Sequence, residues 1–316
     1  MKNNMHTVRT VQFVTVVGMI LNLVLVFAKA AGGWFFHSQA LLADAVHSLS
    51  DLVTDLAVIL GVKYWSAPPD KSHPYGHGRI ETLVSAFIGI ALAAVAVGLA
   101  WDAVGTLRHG AERPPEGYAF VIALFSIVSK EWLFRWTRAK ARGIRSSALE
   151  ANAWHHRSDA LSSIPAAAAI AVAFFFPKLD FVDPLGAIIV SFLILHAAWK
   201  IIKPTLQELS EAGVSHEDQA KIYRLAVSQP GVLGAHALRT RNAGGAIWAD
   251  IHIIVDPDMT VREGHDLSHQ VRDLLVNSSG LNIVDVVVHL EPPTSSRLKA
   301  AASRERSGGS APPGPC

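Results

Sequence analysis

The sequence predicts a membrane bundle of six transmembrane helices followed by a small cytoplasmic α+β domain. Three observations carry that prediction. Only 17% of the 316 residues are charged and 50% are apolar, whereas about a quarter of an average soluble chain is charged. Six apolar segments are long enough to cross a bilayer. After Pro204 the apolar runs stop, and short amphipathic helices and alternating strands take their place.

The first segment, "VQFVTVVGMILNLVLVFA", runs 18 residues without a charge. It is read as a span rather than a cleaved signal, because no small-residue cleavage site follows and Lys29 and a second apolar segment come next. The others fall near 39–63, 80–107, 118–136, 148–176 and 184–202, with "FFFPKLDFVDPLG" separating the last two. Five basic residues and no acid lie between Arg135 and Arg145, an excess found in no other loop of the bundle. The positive-inside rule then places that loop, and with six spans both termini, in the cytoplasm. The expected organisation is a cytoplasmic N-terminus at 1–9, a transport domain at 10–204, a cytoplasmic domain at 205–293 and a disordered tail at 294–316.

Within the C-terminal domain, apolar periodicity predicts a helix over 215–228, strands over 232–241 and 247–255, a helix over 260–277 and a strand over 284–290. The order αββαβ implies a two-layer α+β fold. The Ser/Gly/Pro/Arg-rich composition of the tail predicts disorder. Cys316 is the single cysteine, which excludes an internal disulfide and a cysteine-based zinc site. A net charge of +2, with the basic residues gathered at the inner membrane face, argues against a nucleic-acid partner.

Two of the spans carry polar residues where a membrane helix tolerates few. A charge at the bilayer centre costs about 2.5–3.5 kcal/mol on insertion scales, so such residues mark function by default. The second span reads "DAVHSLSD", Asp44 to Asp51, and the fifth "NAWHHRSD", Asn152 to Asp159. In each, a histidine precedes an aspartate by four residues, which sets both on one helix face about 6 Å apart along the axis. The polar stripe continues through 44, 47, 51 and 55, and through 152, 155, 159 and 163. An even and an odd span run antiparallel, so the repeated pattern suggests a pseudo-two-fold axis near the membrane plane. Facing each other, His47, Asp51, His155 and Asp159 form a four-ligand tetrahedral set suited to Zn(II) or a similar ion. The plainer alternative is a pair of buried His–Asp hydrogen bonds. His156 and Arg157 fall on other faces and read as lipid-interface or inter-helix residues. Lys29, Glu81, Asp102, Lys130 and Glu131 lie in or near spans, where helix ends and snorkelling explain most of them.

Two further groups stand outside the spans. The loop "DKSHPYGHGR" gathers Asp70, His73 and His77 around a tight Pro/Gly turn. In the soluble domain, strand alternation puts Trp248, Asp250 and His252 on one face, and likewise Asp285, His289 and Glu291. Exposed histidines are commonly plain surface residues, and that is the alternative for both groups.

Taken together, "SQALLADAVHSLSD", "HPYGHGRIE", "HHRSDALSS" and "GAHALRTR…IHIIVD…VVVHLEP" resemble the cation diffusion facilitator family over about residues 10–292. The resemblance implies six transmembrane helices and a metallochaperone-like domain in a homodimer that exchanges divalent transition metal for protons. It implies His47, Asp51, His155 and Asp159 as the transport site and Asp70, His73 and His77 as a second site. It also implies His236, His252, His265, His289 and Glu291 as a regulatory cluster across the dimer, with Asp250 as an alternative ligand. Arg79 and Glu211 are implied to pair near the membrane–domain junction. Relatives vary at position 47, some having Asp, and histidine there resembles the zinc pattern.

The expected function is therefore export of Zn(II) by proton antiport, with Zn(II) as substrate and regulator and no organic cofactor. The expected location is a prokaryotic inner membrane. Fe(II), Mn(II), Co(II) and Cd(II) are the alternative substrates, and a non-transporting metal sensor or scaffold is the alternative role. An intramembrane metalloenzyme fits poorly, because a closed four-ligand set leaves no position for water and no glutamate stands by as base.

Overall fold

The computed structural model describes residues 2–110, 114–144 and 146–293. The tail expected to be disordered, with Cys316, lies outside the described residues, as does the side chain of Asp55 in the polar stripe. The elements run α1 (Lys2–Phe35), α2 (Gln39–Trp65), α3 (Arg79–His109), α4 (Gly117–Ile144), α5 (Ser147–Ser162), α6 (Ile164–Phe175), α7 (Val182–Leu209), α8 (His216–Ser228), β1 (Gly234–Ala243), β2 (Ala246–Ile254), α9 (Val261–Ser278) and β3 (Ile283–Glu291). Among the described residues six stretches are long and apolar enough to cross a membrane, matching the six expected segments. By chain contacts the protein forms two compact units, one of Met1–Gly61 with Val84–Lys203, the other of Val62–Leu83 with Pro204 onward.

In the helical unit the interior is built largely from small side chains, among them Ala40, Ala43, Ala96, Ala119, Ala123, Ala166 and Ala169. Small residues let helix backbones approach closely where lipid removes the ordinary hydrophobic drive to associate. Gly186 shows how close: a Cβ there would stand 2.3 Å from the Ala169 Cβ. Phe27, Phe87, Trp101 and Phe192 point outward and are 66–79% exposed, an apolar girdle facing where lipid would lie. The start of α2 is capped twice. Ser38 Oγ accepts from Leu41 N at 3.1 Å, and Asp183 of α7 accepts from Ser38 Oγ at 2.7 Å and Gln39 N at 2.8 Å. These contacts satisfy amide donors that a buried helix end would otherwise leave orphaned.

The fifth span differs from the continuous helix that its apolar run suggests. It is two helices, α5 and α6, parted at Ser163. Pro165, one residue into α6, supplies the cause: proline has no N–H to donate and its ring crowds the carbonyl four residues back. The break leaves Ser162 and Ser163 beside Asp159, and their hydroxyls turn back to its carbonyl at 2.9 and 3.2 Å.

The second unit has a three-stranded sheet in the order β1-β2-β3, with β1–β2 antiparallel and β2–β3 parallel. The parallel pair is joined through α9, as a parallel connection requires. Leu267, Val271 and Leu275 of α9 and Ile222 of α8 bury against Ile251, Ile253 and Val286. On β2 the odd-numbered residues from Ile247 to Ile253 are buried, so Trp248, Asp250 and His252 occupy the opposite, uncovered face. This reproduces the expected αββαβ order. Within the same unit, the α2–α3 loop rests on the β1–β2 hairpin. The Tyr75 and Trp248 rings meet at 5.1 Å, and the Arg241 guanidinium lies 4.7 Å over the Tyr75 ring. Arg79 Nη2 donates to Glu211 Oε1 at 2.7 Å.

Candidate metal centre

In the helical unit Asp51, His155 and Asp159 each direct one ligand atom into a common space, all within 4.8 Å of one another. The four-residue spacing on α5 accounts for His155 and Asp159, whose Nδ1 and Oδ1 stand 3.7 Å apart. His47 lies one helical turn before Asp51. Its Nε2 pairs with Ser162 Oγ at 3.1 Å, and its Nδ1 is buried with no hydrogen-bond partner. A buried imidazole nitrogen without a partner is costly, and a metal ion is one group that would satisfy it. The donors that converge are one imidazole and two carboxylates, and His47 is not among them. With the His47 Nδ1 added, the set would have the four donors of a tetrahedral dication site, the carboxylates offsetting the charge.

Two lysines enter this region that the helix-end account of charged residues does not accommodate. Lys29 is 0% exposed and its Nζ lies 2.7 Å from Asp44 Oδ2, with further bonds to Ser48 Oγ and Ser163 Oγ at 3.1 Å each. Lys130 is 2% exposed and its Nζ lies 3.3 Å from Asp159 Oδ2. Snorkelling is thus incorrect for both. The signal was available for Lys130, which sits near the middle of α4. Some 13 residues of helix separate it from either end, about 20 Å at 1.5 Å per residue, beyond the reach of its side chain. Asp44 also leaves the polar stripe, for it accepts from Ser163 Oγ at 2.8 Å and binds Lys29. His156 is buried between helices, its Nε2 3.2 Å from where a Cβ at Gly18 of α1 would stand, and the Arg157 guanidinium covers the Phe134 ring at 4.8 Å.

The loop residues Asp70, His73 and His77 also converge, each with one ligand atom within 4.8 Å of the others. Asp70 Oδ1 accepts from Ser72 Oγ at 2.8 Å, from Ser72 N at 2.8 Å and from His73 N at 2.7 Å, while Oδ2 lies 3.3 Å from His77 Nε2. The Ser72 hydroxyl above all, then the His73 and Ser72 amides, pull the Asp70 carboxyl down to about 2. Gly76 turns the loop at φ +84°, a conformation open to glycine at little cost.

On the uncovered face of the sheet, register alone aligns His236 with His252 and His252 with His289. Glu291 lies between them: its Oε2 is 2.9 Å from His236 Nε2, and its Oε1 is 2.8 Å from His252 Nδ1 and 3.7 Å from His289 Nε2. A bulge between His236 and Arg239, with Ala237 at φ +49°, shifts the β1 ladder just after His236. His265 and His269 stand on α9 with rings 4.5 Å apart. Since α9 covers the other face, they do not join this cluster within one chain, and Asp250, exposed on β2, is not among the converging atoms either.

Residues 15–210 match the cation efflux transmembrane domain and residues 214–293 the cytoplasmic domain of cation efflux proteins. The chain is 33% identical over 290 residues to metal tolerance protein C1 of Arabidopsis thaliana, covering 87% of this chain and 61% of the length of that one. It is 29% identical over 285 residues to the manganese efflux system protein MneP of Bacillus subtilis, covering 88% and 95%. Over 24% of its length the chain is similar to the solved structure of MamM-CTD 215-293, covering 96% of that chain at 34% identity and a TM-score of 0.24. The chain therefore belongs to the cation diffusion facilitator (cation efflux) family, whose members are transporters and not enzymes.

Proposed function

We propose that this protein exports Zn(II) from the cytoplasm in exchange for protons, as a homodimer in a prokaryotic inner membrane with both termini cytoplasmic. The observation that carries the reading is the convergence of Asp51, His155 and Asp159 inside the helical unit, beside a buried His47 nitrogen that has no partner. Two nitrogen and two oxygen donors suit Zn(II), and the two carboxylates balance its charge away from water. Proton exchange follows from ligand chemistry: imidazole and carboxylate bind metal only when deprotonated, so loading releases protons and unloading recaptures them. Exposure of the site to one side and then the other completes the cycle.

Zinc is also the proposed regulator, held by Asp70, His73 and His77 in the loop and by His236, His252, His289 and Glu291 on the sheet. His265 would reach a sheet cluster from the second protomer, which is why that site is assigned to the dimer. The name of the Bacillus relative, a manganese efflux protein, favours Mn(II) as the second reading. Manganese prefers oxygen ligands, so the two histidines of this site argue for zinc.

The test is metal flux into proteoliposomes with Zn(II), Mn(II), Fe(II), Co(II) and Cd(II) in competition and internal pH recorded. Zinc uptake with counterflow of protons, abolished in Asp51→Ala and in Asp159→Ala, is the expected result. Normal flux in either variant refutes the site, and preferential manganese uptake refutes the metal.

A further inference from the structure

We propose that Lys130 is the resident counter-cation of the membrane site, a tethered ammonium that holds Asp159 when no metal is bound and is displaced by the incoming dication. This inference rests on the assignment of Asp51, His155 and Asp159 as the site. Lys130 comes from α4, which supplies none of the proposed ligands, yet its Nζ lies 3.3 Å from Oδ2 of Asp159. The other carboxylate oxygen, Oδ1, is the one nearer His155. Both ends of the contact are buried, with side-chain exposures of 2% and 6%. The ammonium and the histidine thus lie against different oxygens of the one carboxylate.

Charge balance then governs the exchange. Ionised Asp51 and Asp159 neutralise a dication by themselves. If the ammonium stayed in contact, the loaded site would hold one surplus positive charge in a medium that screens it poorly. Without the ammonium, the site that has released its metal and not yet recaptured protons would hold two carboxylates with no counter-charge, an arrangement that burial penalises heavily. A lysine that swings on and off Asp159 removes the worst of both states. It weakens metal binding, speeds release and stabilises the unloaded carrier for its return. Lys29 does not compete for this role, since it is closed in its own contacts with Asp44, Ser48 and Ser163.

The test uses the full chain in detergent, titrated with zinc by calorimetry, and scores only the zinc equivalents that Asp51→Ala removes. Lys130→Met keeps an unbranched side chain one atom shorter and deletes the charge. It should bind zinc about tenfold more tightly or better, since a like charge within contact distance is removed from a poorly screened site. In proteoliposomes its maximal flux should fall while half-saturation shifts to lower zinc. Lys130→Arg, which keeps the charge, should stay within about threefold of the parent affinity. A residue that merely rivets α4 to α5 would instead give a less stable protein with unchanged or weaker zinc binding, and that result in a folded Lys130→Met overturns the proposal. If Lys130→Met does not fold, the parent protein decides. Its zinc-induced infrared difference spectrum, labelled with 15N-lysine and corrected by that of Asp51→Ala, should show the exchange-resistant ammonium band move, and a stationary band overturns the proposal. Should Asp51→Ala remove no zinc equivalent, the site assignment itself falls, whereas loss there with no Lys130 effect removes only the counter-cation.

Discussion

Lys29 and Asp44 form a closed ion pair inside the helical unit, 2.7 Å apart and both 0% exposed, with Ser48 and Ser163 completing the ammonium's contacts. The pair ties α1 and α2 to the break between α5 and α6. Removing one partner of a buried pair strands the other charge and costs about 3–5 kcal/mol, whereas replacing both with apolar residues is often neutral. Lys29→Met alone and Asp44→Leu alone should therefore unfold at much lower temperature in detergent, and the double variant should recover most of the loss. A double variant no more stable than the sum of the singles predicts would show that the two residues do not act on each other.

A second prediction concerns His47. Its Nε2 pairs with Ser162, and its Nδ1 is buried without a hydrogen-bond partner, which makes Nδ1 the nitrogen that would bind metal under the proposed function. His47→Asp exchanges a borderline nitrogen for a harder oxygen and adds a negative charge. Transport of manganese or cadmium relative to zinc should rise in competition assays. An unaltered zinc-to-cadmium ratio would place the selectivity elsewhere.

The sheet cluster makes a third. Metal held by His236, His252, His289 and Glu291 would stabilise the domain by mass action, saturating with zinc concentration. The fragment 205–293, which has its own apolar core around Ile251, Ile253 and Val271, should melt at higher temperature with zinc. The gain should vanish in a His252→Ala, His289→Ala double variant. Full-length protein with those changes should keep transport and lose its sensitivity to cytoplasmic zinc. Calorimetry that finds no zinc bound to the fragment at micromolar concentration would make the cluster an ordinary surface.

The fourth concerns acid. Asp70 is held down to about 2, chiefly by the Ser72 hydroxyl, from an ordinary value of 3.8. A carboxyl with a depressed folded value contributes to loop order fully above its unfolded value, and that contribution fades as pH falls through the folded one. The loop should thus remain ordered at pH 4 and loosen only as pH approaches about 2. Ser72→Ala should raise the Asp70 titration toward 3.8 in carboxyl 13C spectra. A titration unchanged by Ser72→Ala would assign the depression to the backbone amides alone.

Much of this protein is determined by its sequence because the signals are local. A span without charge has few structures open to it in a bilayer, and the alternation in "IWADIHIIVD" sets which face of β2 is buried before any partner strand is known. The His–Asp spacing of four on α2 and α5 fixes a shared helix face in the same way. Even the break in the fifth span has a local cause in Pro165, although an apolar run reads most simply as one helix.

Tertiary structure decided how the charges are partnered. Asp44 and Asp51 sit seven residues apart on one helix and look alike in sequence. Only packing gives Asp44 to Lys29 of α1 and turns Asp51 toward His155 and Asp159. In the same way Lys130, far along the chain from the second span, is set against Asp159 by the packing of α4 on α5. On the sheet, strand register brings His236, His252 and Glu291 from three separate strands into one cluster. The physical reason is common to all of them. A helix or strand preference is set by neighbours a few residues away, whereas an ion pair or ligand cluster depends on which surfaces close against each other, and the chain states that only when it is folded.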